Sequence, residues 1–138
     1  MNRTKDKILE IKQYLEELNS ILPSSFKEYE NNLEKIAAVE RYFEKIVEAT
    51  NDLARYIIKK EKFSFEEGET PFGILLKNKV IEENLFERLK FAKGMRNILS
   101  HKYGEIDNQI VFQSIREELL RDIPLFIKSV EKYLEEFD

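Results

Sequence analysis

Residues 33–60 read LEKIAAVERYFEKIVEATNDLARYIIKK, and this stretch decides the fold class. Its apolar side chains recur every three or four residues, from Leu33 through Phe43 and Val47 to Ile57. This spacing is the period of an α-helix with one buried face. Because a helix of about 28 residues is long enough to span a domain, we expect the other elements to pack around it.

The same apolar period returns in three further segments. Residues 8–22 predict a first helix, which Pro23 ends. Residues 82–101 predict another, and a last helical region begins near Asn108. Pro124 lies inside that last region and is expected to kink or divide it, since proline removes one backbone hydrogen bond from a helix.

A short helix is predicted between the second and third long ones. Thr70 followed by Pro71 has the chemistry of a helix start, with an N-cap hydroxyl and a proline at the first helical position, and residues 72–77 follow. The chain is therefore predicted to be all-α, an antiparallel four-helix bundle with an additional short helix and a kinked C-terminal helix. Residues 1–138 are expected to form a single domain.

Composition excludes several classes of protein. The chain has no cysteine, so it can form neither disulfides nor thiolate metal sites. Its N-terminus is charged and lacks the apolar run of a signal peptide or membrane span, which predicts a cytoplasmic protein without a membrane partner. No metal-ligand cluster is recognisable and no cofactor is expected. A formal net charge of -4 does not indicate a broad nucleic-acid-binding surface.

Positive charge is nevertheless concentrated between residues 87 and 103, which contain five cations and only one acid, Glu87. The cations are Arg88, Lys90, Lys93, Arg96 and Lys102. A solvated helix face would have this composition, with lysine stems lying along apolar surface. The alternative is a site that attracts a polyanion, for which Lys90, Lys93 and Lys102 are candidate steering residues.

The helix over residues 82–101 carries one anomaly. Its inward positions are Leu85, Leu89, Ala92, Arg96 and Leu99. An arginine thus stands where an apolar side chain is expected, and burying it unpaired would cost several kcal/mol. It must meet a carboxylate, a phosphate or water. Glu40 interrupts the stripe of residues 33–60 in the same way and is a candidate structural partner for Arg96.

The single histidine, His101, follows in the run RNILSHKYGEID. Asn97 lies one helical turn before it, whereas Arg96 and His101 are about 140° apart around an ideal helix axis. These two can converge only if the helix loosens before Gly104 or a second subunit completes the site. Taken alone, His101 would be a favourable cap for the helix dipole and Tyr103 a packing residue.

Taken together, Arg96, four residues, His101, one residue and Tyr103 resemble the Arg-x(4–6)-His-x-Tyr signature of HepT proteins, a branch of the HEPN superfamily. The resemblance covers about residues 33–138, whereas the first 30 residues match only as an amphipathic helix. The segments that carry it are AVERYFEKIVEATNDLARYII, TPFGILLKNKVI and ENLFERLKFAKGMRNILSHKYGEID.

The resemblance implies a HEPN-like fold and an RNA endonuclease that needs no metal, the toxin of a type II toxin–antitoxin pair. It implies a homodimer in which two copies of the motif face each other across a cleft. His101 would then transfer protons and Arg96 would hold the scissile phosphate, with Asn97 in a supporting role.

The resemblance also gives Tyr103 a role, as the residue to which a cognate minimal nucleotidyltransferase antitoxin attaches AMP. Phosphate there would compete with RNA for the same cations and silence the toxin. Two other functions remain open at this point. One is a non-catalytic helical subunit that binds a nucleotide or substrate for a nucleotidyltransferase, and the other is a plain interaction module with Glu40 and Arg96 as a structural pair.

Overall fold

A computed structural model describes residues 3–101 and 107–137, and helices make up the regular structure of these residues. Side-chain placement is described for all of these except residues 91, 93, 94, 96–101, 136 and 137. The described ranges contain no strand, and the predicted all-α class is confirmed. The helices are α1 (Arg3–Ile21), α2 (Phe26–Glu30), α3 (Leu33–Lys60), α4 (Pro71–Lys77), α5 (Glu83–His101), α6 (Asn108–Gln113) and α7 (Leu120–Phe137), with a π-helical segment (Ser114–Leu119) between α6 and α7.

The long helices α1, α3, α5 and α7 pack as a bundle. Helix α3 contacts both α1 and α5, while α7 contacts both α5 and α1, so that the contacts close into a ring. The short α4 lies against α3 and α5, and α2 lies against α3 and α6. Helix α4 is the additional short helix that the sequence predicts.

The apolar stripe of α3 faces the interior of the bundle. Phe43, Val47 and Ile57 are all buried, as their spacing predicts. Leu33 is the exception, because it is the first residue of α3 and remains 82% exposed. Each large apolar side chain that is removed from water contributes roughly 1.5–3 kcal/mol, so the middle of α3 carries much of the stability of the core.

Side-chain caps fix where α3 and α4 begin. The side-chain oxygen of Asn32 accepts a hydrogen bond from the backbone N–H of Lys35 at 3.1 Å. The Thr70 hydroxyl accepts one from the N–H of Gly73 at 3.1 Å, and Pro71 is the first residue of α4. Both caps satisfy backbone donors that have no partner within the helix. The Thr70 cap agrees with the sequence prediction.

The C-terminal helical region changes its winding before Pro124 rather than at it. Pro124 lies inside α7, which continues to Phe137. The α-helical pattern is interrupted at Ser114–Leu119, where the backbone N–H of Leu120 is bonded to the carbonyl of Ile115, five residues earlier. A π-helical turn holds more residues than an α-helical one, and such turns and prolines are the usual causes of helix bending. The sequence predicted a kink or division at Pro124, whereas the interruption lies at the π-helical segment, which the sequence did not predict.

The buried apolar side chains of the bundle form one cluster, in which Tyr29, Phe43 and Phe126 are among the largest fully buried members. Tyr29 joins it from α2 and stacks against Phe112, with 5.1 Å between the ring centroids. The extent of the single predicted domain, residues 1–138, stays a prediction. Within the described ranges, no helix is long and apolar enough to cross a membrane.

Candidate active site

Helix α5 positions the motif that the sequence singled out. Leu85 and Leu89 are buried, and Ala92 packs against the same core as a half-buried residue. Arg96 occupies the next position of this stripe, one turn after Ala92. The stripe therefore leads from the hydrophobic core to an arginine, as predicted, although the Arg96 side chain lies outside the described set.

Asn97 and His101 share α5 with Arg96, and the helix is continuous from Glu83 to His101. Positions 96 and 101 are therefore about 7.5 Å apart along the helix axis and about 140° apart around it. Of the two routes to convergence, loosening of the helix is excluded between these positions. The side chains of Asn97 and His101 lie outside the described set.

The remaining predicted site residues divide into those that the structure describes and those that it does not. Lys102 and Tyr103 lie outside the described residues, and so does the side chain of Lys93. Lys90 is described and exposed. Its ammonium lies 3.8 Å from the Glu87 carboxylate and 5.3 Å from the centre of the Phe86 ring. Neighbours on its own helix thus partly balance the charge of Lys90.

Glu40 lies on α3 and is half-buried. Its charge is felt by Tyr29, whose pKa is raised above the ordinary range, first by burial and second by the Glu40 carboxylate. An ion pair between Glu40 and Arg96 would involve a side chain outside the described set, and it stays a prediction.

The structure brings forward an acid that sequence reasoning missed. Asp122, in the first turn of α7, is only 5% exposed. One of its carboxylate oxygens lies 2.8 Å from Nε of Arg121 and 3.4 Å from Nη1 of Arg88 on α5. Asp122 therefore links α7 to the helix that carries the motif. The available sequence signal was its spacing, three residues after Leu119 and four before Phe126, which places it on the buried face.

A small cavity lies beside this ion pair, between α5 and the π-helical segment. Arg88, Ala92 and Met95 line it from α5, and Ser114 and Glu118 line it from the π-helical segment. Its volume of about 20 Å³ has room for about one water molecule. The cavity is too small for a nucleotide, but it reaches Ala92, one helical turn from Arg96.

Among the side chains that the structure describes, no three His, Cys, Asp or Glu residues are grouped so that they could hold a metal ion. Asp122 has two arginine partners, which occupy its oxygens as hydrogen-bond donors.

Comparison with known proteins identifies the family. The model of the family described as HepT-like ribonucleases matches residues 11–132. The chain is 29% identical over 126 residues to a protein named tRNA nuclease HepT from Aphanizomenon flos-aquae, covering 90% of this chain and 84% of that protein. It is 30% identical over 92 residues to a putative RNase from Archaeoglobus fulgidus, covering 67% of this chain and 69% of that protein.

Solved structures share the fold. A tri-AMPylated HEPN toxin of Shewanella oneidensis, in complex with an MNT antitoxin, superposes with a TM-score of 0.86 at 24% identity, covering 96% of this chain and 99% of that one. A toxin–antitoxin structure with AMP-PNP superposes with a TM-score of 0.83 at 22% identity, covering 94% and 97%. The resemblance seen in the sequence is thereby confirmed, and the chain belongs to the family of HepT-like ribonucleases.

Proposed function

We propose that the protein is a metal-independent RNA endonuclease, the toxin of a toxin–antitoxin pair, whose active site around Arg96 and His101 is completed in a homodimer. One observation carries the proposal. A chain that matches the HepT-like ribonuclease model over residues 11–132 has Arg96, Asn97 and His101 on one continuous helix. Arg96 extends a stripe whose earlier members, Leu85, Leu89 and Ala92, are buried or half-buried, so its position calls for a phosphate or carboxylate partner.

The residues are suited to transesterification. The ribose 2′-oxygen attacks the adjacent phosphorus and gives its proton to a His101 imidazole, while the 5′-oxygen leaves and takes up a proton. The products end in a 2′,3′-cyclic phosphate and a 5′-hydroxyl. Imidazole serves as both base and acid because it titrates near neutral pH. Arg96 offsets the charge that builds on the phosphate, and Asn97 orients the phosphate or the imidazole.

The homodimer is what the family resemblance implies, and helix geometry supports it. Because α5 stays helical through His101, Arg96 and His101 of one chain are held about 140° apart around the axis. Two copies of α5 that face each other would bring the arginine of one chain beside the histidine of its partner. The homodimer is therefore part of the proposal, and Lys90, Lys93 and Lys102 would attract RNA towards its cleft.

Regulation follows the same chemistry. A cognate minimal nucleotidyltransferase would attach AMP to Tyr103, two residues after His101, and the added phosphate would occupy the cations that RNA needs. Support comes from the structural neighbour described as a tri-AMPylated HEPN toxin in complex with an MNT antitoxin. The substrate class we propose is tRNA, since one relative is named a tRNA nuclease.

The test is cleavage of a tRNA pool in EDTA by wild type, His101→Ala and Arg96→Ala, after mass spectrometry has excluded AMP on Tyr103. We expect both variants to lose roughly 10²- to 10³-fold in rate. Arg55→Ala is the matched control, since Arg55 is an exposed arginine on α3 that is not part of the motif. Uncleaved RNA with the unmodified wild type, or equal losses in all three variants, would overturn the proposal.

A further inference from the structure

A second cluster of cations lies in a groove away from the motif. The groove has a volume of about 420 Å³ and runs between the segment before α5, the first turns of α5 and the outer face of α7. Its cations are Lys79, Arg88, Lys128 and Lys132, and its one acid is Glu82. We call it the basic groove. It is the size of an ordinary ligand site.

The charge of the basic groove is unusual for this molecule. The chain as a whole carries -4, whereas the groove holds four cations against one acid. Lys79, Lys128 and Lys132 are exposed, and none of them forms an ion pair with a described side chain. Like charges one turn apart, such as Lys128 and Lys132, disfavour a helix. A concave surface lined by one sign of charge focuses its field on a ligand of the opposite sign.

The walls of the groove are fixed by packing. Tyr133 lines one side and packs edge-on against Phe63, with 6.2 Å between the ring centroids. Arg88 is tied to the buried Asp122 at 3.4 Å, and Asp122 also binds Arg121. A single carboxylate thus serves two guanidinium groups, so Arg88 retains positive charge for the groove.

The basic groove is aligned with the motif. Leu85 and Arg88 line the groove, Arg88 and Ala92 line the small cavity, and Arg96 comes one turn later on α5. Leu85 and Arg96, eleven residues apart, differ by only about 20° around the helix axis. Arg88 and Arg96 are about 12 Å apart along it, which corresponds to three or four stacked nucleotides at roughly 3.4 Å each.

We infer that the basic groove binds the backbone phosphates of the RNA substrate, three or four nucleotides from the bond that is cut. This inference rests on the proposed nuclease function and adds a second phosphate site to it. Lysine is depleted from the centres of protein–protein interfaces, whereas lysine and arginine dominate contacts with phosphates. Contacts of this kind position RNA without reading its bases.

The test is binding of a fluorescent single-stranded RNA whose 2′-hydroxyls are all methylated, so that transesterification is blocked. Lys128→Gln combined with Lys132→Gln removes two groove cations. Lys12→Gln combined with Lys59→Gln, at exposed positions on α1 and α3, is the control with the same net charge. Each lost phosphate contact lowers the slope of log affinity against log salt by about 0.7. We therefore expect the slope for the groove variant to be smaller than that of the wild type by about 1.4. If the two affinities are equal at about 1 M salt, this difference makes the groove variant about 25-fold weaker at about 0.1 M salt.

The control variant should have the salt slope of the wild type and an RNA affinity within about twofold of it, since nonspecific charge effects are weak and screened. Equal RNA affinities for the two double variants would overturn the inference, and so would a loss confined to binding of an acidic protein partner. Cleavage of unmodified RNA by the wild type is measured in parallel. If the wild type did not cleave RNA, the proposed nuclease function would be contradicted. If the groove variant and the control variant had the same salt slope, only the inference about the basic groove would be contradicted.

Discussion

At the scale of single residues, Asp122 shows why a buried acid is hard to find in a sequence. Its spacing from Leu119 and Phe126 places it on the inward face of α7, but its neighbour Arg121 makes the pair look like ordinary surface charge. Whether a polar residue at a core position is buried depends on a partner from another helix, here Arg88. Arg96 was recognisable because its whole stripe is apolar, whereas Asp122 adjoins polar residues.

Asp122→Asn is expected to destabilise the fold by about 1–2 kcal/mol. The variant removes the charge that Arg88 and Arg121 share, but their side chains are 36% and 50% exposed and can turn towards water, which keeps the cost below that of a fully buried pair. The measurement is the urea midpoint of unfolding at unchanged m-value.

Glu87→Gln is the matched control for Asp122→Asn, because it breaks an exposed ion pair on the same helix. The side chains of Glu87 and Lys90 are 59% and 57% exposed, and such pairs contribute no more than about 0.5 kcal/mol. If the two substitutions shifted the midpoint equally, Asp122 would not be an anchor between α5 and α7.

At the scale of elements, helix starts follow from local chemistry and were therefore predictable. Thr70 and Pro71 announce α4 in the sequence, and the structure has the expected cap. The π-helical segment Ser114–Leu119 was not predictable, because the apolar period through residues 108–137 looks continuous. A π-helical turn is rare and forms where tertiary packing stabilises it. Tertiary packing cannot be predicted from a local sequence pattern.

The start of α4 offers a test of this local account. Thr70→Ala removes the hydroxyl that accepts from the Gly73 N–H and should cost about 1 kcal/mol of unfolding free energy, whereas Thr70→Ser should cost much less. Gly73→Ala adds a methyl group 3.0 Å from that hydroxyl, tighter than ordinary contact. The methyl group should therefore offset part of the roughly 1 kcal/mol that alanine contributes over glycine in a helix.

The double variant separates the two effects at the start of α4. With Thr70→Ala in place the close contact is gone, and Gly73→Ala should then stabilise α4 by close to its full helix propensity. Chemical denaturation of the wild type, both single variants and the double variant gives the coupling free energy. Strict additivity would show that the Thr70 hydroxyl and the added methyl group do not contact each other.

At the scale of the whole molecule, the long helices and their buried faces follow from the apolar periods, but their contacts do not. The apolar stripe of α7 does not predict that α7 packs against both α1 and α5, since many helix pairs could bury the same residues. The motif has the same limit. Sequence reasoning could name Arg96 and His101 and their separation around the helix, but not the surface that completes them.

Mixed dimers test how the active site is completed. If Arg96 of one subunit acts with His101 of its partner, a dimer of one Arg96→Ala chain and one His101→Ala chain retains one intact site of two. Random exchange makes half of the dimers mixed, so the pool should recover about a quarter of wild-type activity although each variant alone is inactive. The measurement is RNA cleavage after co-refolding, with mixed dimers verified by native mass spectrometry. No recovery in verified mixed dimers would contradict a site formed by one Arg96 and the partner's His101, which is the pairing that the continuous α5 favours.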